Sequence, residues 1–323
     1  MPLFDLPLSE LERYRPERRE PADFAAFWAR TLKEARGQPL GIRLRPYGLD
    51  LPLVDAHRLT FNGFAGQPVG GLYLRPRGAG DELPLVVRYL GYGDGAGTPL
   101  DWLRWPASGV ATIVMDTRGM GARARRAGVT GDRGGSDSPH VEGFLTKGIL
   151  DPDDYYYRRV FTDAVRAVEV ARCLDGVDRG RVVVEGFSQG GGIALAAAAL
   201  ADGVAAAMIS VPFLCHMERA VELTDKAPYA ELLEFARTQK DVLPQAFTTL
   251  RYFDGLTMAA HATVPALWQV ALMDQICPPS TVFAAYNHYA GEKSIDVYPY
   301  NEHEGGGVAQ EERQIRWLRE RFG

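Results

Sequence analysis

Six short apolar runs limit what this chain can fold into. LPLVVRYL (83–90), VATIVMD (110–116), RVVVEG (181–186), AAAMISV (205–211), VPALWQVAL (264–272) and IDVYPY (295–300) are near-continuous in Val, Ile, Leu and Ala, the pattern of strands buried on both faces of a parallel sheet. Helical patterns lie between several of them. In DDYYYRRVFTDAVRAVEVARCL, Val160, Ala164, Ala167, Ala171 and Leu174 step by four and three, and Phe161, Val165 and Val168 widen the stripe. Strands alternating with helices predict an α/β fold, a mostly parallel, doubly wound sheet with right-handed crossovers. Ahead of it, PADFAAFWARTLKEARG (21–37) reads as a helix that opens on proline and closes on glycine. VDAHRLTFNG and QPVGGLYLRP then alternate around a turn at Asn62 and Gly63, which predicts an antiparallel hairpin. Between Val211 and Val264 the strand pattern gives way to several short helices, a helical insertion at about 212–262. With no internal repeat and no linker rich in Pro, Gly and Ser, residues 1–323 read as a single domain.

Composition excludes several functions. Net charge is −5, and the basic residues are scattered among acids, so no electrostatic footprint for nucleic acid exists. No apolar stretch approaches the length needed to span a bilayer, and the charged N-terminal stretch has no signal-like apolar core. Cys173, Cys215 and Cys277 are odd in number, far apart and without metal-ligand spacing. They read as packing thiols of a cytoplasmic protein.

The chemistry starts at RVVVEGFSQGGGIALAAAAL. A strand, a sharp turn with Ser188 at its apex and a Gly/Ala-rich helix are the context of a G-x-S-x-G nucleophile elbow, with Gly186 and Gly190 keeping side chains out of a crowded approach. The bland alternative is a serine opening a helix as its N-cap. Partners favour catalysis. In α/β-hydrolases the order is nucleophile, acid, histidine; Asp274 directly follows VPALWQVAL and His303 directly follows IDVYPY. Parallel strands bring their C-terminal ends to one edge, so these residues can converge on Ser188. His57, His140, His216 and His261 break the chain order, and His288 falls within a helical stretch. Asp254 belongs to the insertion and Asp296 to a strand. Glu302, His303 and Glu304 are adjacent and cannot all turn to one metal. The backbone N–H of Gln189 and one from the glycine-rich YLGYGDGAG loop, Tyr92, are the candidate oxyanion donors.

Longer stretches extend this reading. FDLPL, YRPER, DTRG, GILDPDDYYYRRVFTDAVRAVE, GFSQGGGIALA, VPFLCH, RYFDG, LMDQICPPSTVFAAYN and YPYNEHEGG run nearly end to end, and in them the chain resembles carbohydrate esterase family seven, the acetyl xylan esterases and cephalosporin C deacetylases. The resemblance implies the α/β-hydrolase fold and a serine carboxylesterase that removes acetyl groups from small O-acetylated molecules, with no metal or organic cofactor. It also implies a homohexamer, a trimer of dimers. It carries Ser188, Asp274 and His303 over as the triad and Tyr92 and Gln189 as oxyanion donors, and it makes Phe213, Pro228 and Ile276 the walls of a short acyl pocket. One departure stands out: the family's Arg-Gly-Gln is Arg118-Gly119-Met120 here, a thioether in place of an amide able to donate. Arg118, just past VATIVMD, reads as a brace for the active-site loops. The arginine-rich stretch 121–143 reads as a loop that shapes substrate preference. Because fold does not fix chemistry, an α/β-hydrolase for other short esters, lactones or peptides and a catalytically silent relative are the alternatives.

Overall fold

The computed structural model describes residues 3–133, 138–141 and 143–323, so part of the arginine-rich stretch lies outside the described residues. The six apolar runs become the parallel part of one sheet: β4 (Leu83–Tyr89), β5 (Ala111–Met115), β6 (Val177–Phe187), β7 (Ala206–Ser210), β8 (Ala266–Ala271) and β9 (Lys293–Tyr298). The expected hairpin is β2 (Val54–Asn62) and β3 (Pro68–Pro76), and a short exposed strand, β1 (Arg43–Pro46), pairs outside β2. The order is β1-β2-β3-β5-β4-β6-β7-β8-β9, antiparallel as far as β5 and parallel from there. β1 has no strand signal in its sequence: all four of its residues, RLRP, are exposed, without apolar alternation.

Helices cover both faces. They are α1 (Leu8–Leu11), α2 (Phe24–Arg36), α3 (Arg104–Ala107), α4 (Tyr156–Ala171), α5 (Gln189–Leu200), α6 (Met217–Leu223), α7 (Tyr229–Thr238), α8 (Leu243–Leu250), α9 (Gly255–His261), α10 (Pro279–His288) and α11 (Gly307–Phe322). Alternate residues of each strand face opposite layers. Val182, Val184, Ile209 and Trp268 join the core under α4, α5 and α10, whereas Val183, Met208 and Leu267 pack with Trp105 of α3 and Trp317 and Leu318 of α11. Residues 217–261, between β7 and β8, form α6 to α9.

Two buried polar clusters interrupt this apolar frame. On the α11 side Glu185 accepts from Arg88 Nη1 at 2.5 Å and Trp105 Nε1 at 2.8 Å, and it also pairs with Arg104. Burial alone would raise its pKa, but the two guanidiniums outweigh that and hold it below the ordinary carboxylate value. At the other cluster Arg118 donates to Asp163 through Nε and Nη2 at 2.7 and 2.8 Å and to Gln67 Oε1 at 2.6 Å. Asp163 also accepts from Phe64 N at 2.8 Å. One fully buried guanidinium thus ties the loop after β5 to α4 and to the hairpin turn. Asp132, on the same loop system, takes Arg159 at 2.9 Å and Lys147 at 2.7 Å.

Removing one member of a buried ion pair strands the other charge, which costs about 3–5 kcal/mol. Asp163→Ala is therefore expected to lower unfolding free energy by roughly that amount in urea denaturation. A loss below about 1 kcal/mol, the scale of an exposed pair, would mean that Arg118 does not tie these elements together.

Candidate active site

Ser188 is the single residue between β6 and α5, with φ 57° and ψ −121°. Positive φ is strained for serine and persists only when neighbouring structure enforces it. Here Ser188 N donates to Ser210 O at 2.9 Å, and Ser188 O accepts from Phe213 N at 2.9 Å and Gly192 N at 3.2 Å. The turn closes because the two flanking glycines have no side chain. A Cβ on Gly186 would sit 1.8 Å from Gly190 O, and one on Gly190 would sit 2.3 Å from Tyr89 O. No other residue fits where strand and helix backbones meet this closely.

Asp274 and His303 reach this corner from the ends of β8 and β9. Asp274 is fully buried, and its Oδ1 accepts from Ile276 N at 2.8 Å and Cys277 N at 2.9 Å, which aims Oδ2 at the imidazole. His303 Nδ1 lies 2.8 Å from Asp274 Oδ2, and its Nε2 lies 2.9 Å from Ser188 Oγ. A carboxylate accepts only, so the proton is assigned to Nδ1 and Nε2 is free to accept from the serine hydroxyl. The edge of Phe187 packs on the imidazole at 5.3 Å between centroids. Such a chain can withdraw the serine proton as its oxygen attacks a carbonyl. Asp254 sits elsewhere and serves the backbone, accepting from His216 N, Met217 N and Leu256 N at the starts of α6 and α9. Burial pushes its pKa up to about 6.

The backbone N–H groups of Tyr92 and Gln189 have no acceptor among the described residues, as donors kept for a ligand would. Their side chains are clamped. Gln189 accepts from Tyr157 OH at 2.8 Å and donates to Leu90 O at 3.2 Å. Tyr92 OH donates to Glu231 Oε1 at 2.5 Å and accepts from Phe144 N at 3.1 Å, while Glu231 Oε2 accepts from Leu145 N at 2.9 Å. Glu231 belongs to α7, so the insertion is latched to the Tyr92 loop. No sequence signal marks that pair. Three consecutive tyrosines at the start of α4 pin two loops and the head of α5: Tyr155 OH to Leu145 O, Tyr156 OH to Arg118 O and Tyr157 OH to Gln189 Oε1.

Of the expected acyl walls, Phe213 is fully buried against Tyr92 and Tyr229, with centroids at 6.2 and 4.5 Å. Pro228 is buried at the head of α7, and Ile276 is half-buried two residues past Asp274. The Cys277 thiol is fully buried. Burial, then the Asp274 charge, pushes that thiol well above its ordinary pKa. Met120 has not simply lost a function: its Sδ accepts from Gly93 N and from Gln189 Nε2, each at 3.3 Å. The sulphur joins the Tyr92 loop to Gln189 as a weak acceptor.

Met120→Leu removes that acceptor and leaves the buried Gly93 N–H unpaired, at a cost of about 1–3 kcal/mol. Met120→Gln, with a carbonyl acceptor at the same place, is expected to match or exceed wild type in urea denaturation. A leucine variant as stable as wild type would show that the sulphur contacts carry no weight.

The chain is similar to known proteins along nearly its whole length. The family model for acetyl xylan esterase (AXE1) matches residues 1–321. The structure of an acetyl xylan esterase from Paenibacillus sp. R4 is 37% identical, with a TM-score of 0.90 over 97% of this chain and 99% of that one. Acetyl xylan esterase 1 from Thermoanaerobacterium sp. JW/SL YS485 is 32% identical, with a TM-score of 0.87 over 98% and 99%. Among curated proteins, acetyl esterase Axe7A of Xylanibacter ruminicola is 28% identical over 90% of this chain, which spans 65% of that relative's length. An acylaminoacyl peptidase at 16% identity and a TM-score of 0.60, aligned over 84% of this chain and 42% of that one, shares the fold alone. The fold is that of the α/β-hydrolases, and the chain belongs to the acetyl xylan esterase family.

Proposed function

We propose that this protein is a serine carboxylesterase that removes acetyl groups from O-acetylated small molecules, xylo-oligosaccharides and cephalosporin C among them. The observation that carries this reading is the hydrogen-bonded chain Ser188–His303–Asp274 in a member of the acetyl xylan esterase family. Ser188 Oγ attacks the acetyl carbonyl as His303 Nε2 takes its proton; Asp274 holds the imidazole in place and stabilises its charged form. The tetrahedral oxygen takes the Tyr92 and Gln189 N–H groups. Collapse breaks the C–O bond, His303 returns the proton to the departing alcohol, and an acetyl-enzyme remains. Water, activated by the same histidine, then attacks and acetate leaves.

A short acyl group suits the filled space behind the site, where Phe213 is packed between Tyr92 and Tyr229, with Pro228 and Ile276 as further walls. An apolar wall discriminates by about 1–3 kcal/mol per methylene. Residues 1–323 act in this reading as one unit with its helical insertion. The family resemblance supports a homohexamer, a trimer of dimers, and the three unpaired thiols suit a reducing cytoplasm.

The test is initial hydrolysis of p-nitrophenyl acetate, butyrate and octanoate by wild type and Ser188→Ala, with acetate release from acetylated xylo-oligosaccharide and cephalosporin C. Acetate is expected fastest and octanoate negligible, and the alanine variant is expected to lose about 10⁴-fold or more in kcat. A folded wild type as inert as the variant would overturn the reading. Tyr92→Phe keeps the backbone donor but frees it from the Glu231 latch. We expect kcat to fall by about 10-fold, within the range a misplaced group costs, with smaller change in KM; unchanged kcat would leave the latch without a catalytic role.

A further inference from the structure

Asp274 and His303 share their corner with a side chain that acyl transfer does not use. Cys277 lies three residues past Asp274 and is fully buried. One ligand atom from each of Asp274, Cys277 and His303 falls within 4.8 Å of the others. A buried carboxylate, a buried thiol and a half-buried imidazole form a donor set that suits a borderline-soft cation. Zinc holds sulphur at about 2.3 Å and nitrogen or oxygen at about 2.0–2.2 Å, so tetrahedral ligand atoms stand roughly 3.3–3.8 Å apart. Seating a cation between them opens the 2.8 Å Nδ1–Oδ2 contact by roughly 0.5–1 Å, within side-chain adjustment at the exposed edge of His303. The shell around the ligands is in place: Ile276 N and Cys277 N hold Asp274 Oδ1 and leave Oδ2 facing the site. A water completes four-coordination.

We infer that Asp274, Cys277 and His303 form a binding site for one thiophilic divalent cation, such as zinc or cadmium, and that its occupation switches the esterase off. Binding breaks the S–H bond of Cys277, whose proton goes to solvent, and forms a metal–thiolate bond; no atom changes oxidation state. The imidazole proton moves from Nδ1 to Nε2, so that the Nδ1 lone pair and the Asp274 carboxylate face the cation and His303 Nε2, now carrying the proton, no longer accepts from Ser188. The site depends on the placement of three side chains and not on which ester is hydrolysed.

The test titrates zinc chloride into chelator-treated protein hydrolysing p-nitrophenyl acetate, with Cys277→Ala and Cys277→Ser in parallel, each normalised to its own metal-free rate. In the same proteins and in Ser188→Ala, cobalt(II) is titrated and followed by absorbance. We expect wild type to be inhibited reversibly, with chelator restoring the rate. The inhibition constant should rise about 10-fold or more in both Cys277 variants, since even an outer partner of a metal ligand is worth about 10–100-fold in affinity. Cobalt should give a thiolate-to-metal charge-transfer band in wild type and Ser188→Ala, absent from Cys277→Ala. Equal zinc sensitivity with and without the thiol, or cobalt spectra without that band, would overturn the inference. The cobalt spectra read the site even if the chain hydrolyses none of the esters, which keeps failure of this inference apart from failure of the esterase reading.

Discussion

The backbone contact between Gly186 and Gly190 is the constraint on which the site depends. Strand β6 and helix α5 meet so closely that a single added methyl at Gly186 would overlap the Gly190 carbonyl, and one at Gly190 would overlap the carbonyl of Tyr89 on β4. The chain can make that contact only by turning through Ser188 at positive φ. Strain at that residue and the absence of side chains around it are one feature seen twice. The same turn lifts Oγ above the sheet edge, frees Gln189 N–H at the head of α5, and brings the loops after β7 and β9 within one hydrogen bond of the serine, with Asp274 after β8 one bond further on.

A second layer holds the loops that the sheet does not. Tyr155, Tyr156 and Tyr157 each send a hydroxyl to a different segment around the site, and two turns of α4 further on Asp163 holds Arg118. α4 is therefore buried nearly all round, with polar side chains facing specific partners. Its charges are compensated pairwise, as buried charges must be. Met120 fits the same scheme. Its thioether keeps the Tyr92 loop joined to Gln189 by accepting, although it cannot donate.

Much of this was legible in sequence because it is local or ordered along the chain. Strand runs such as RVVVEG and VPALWQVAL announce themselves by composition, the elbow by two glycines around Ser188, and the candidate acid and histidine by standing at the ends of successive strands. The parts that were not legible are side-chain contacts across long separations between ordinary residue types. Glu231 looks like any exposed helix glutamate until α7 folds over Tyr92, 139 residues earlier. Glu185 disguises itself as a flaw in a buried strand, since only the fold supplies Arg88, Arg104 and Trp105 to meet it. Cys277 reads as packing, and only the convergence of the loops after β8 and β9 brings its thiol near His303.

The measurement that most directly tests the central claim, that this turn makes Ser188 a nucleophile activated by His303, is covalent labelling with diethyl p-nitrophenyl phosphate followed by intact mass and peptide mapping, in wild type and His303→Ala. The account requires one diethylphosphoryl group per chain, on Ser188, and labelling slowed by orders of magnitude without the histidine. Label on another residue, or a folded wild type left unmodified, would contradict it.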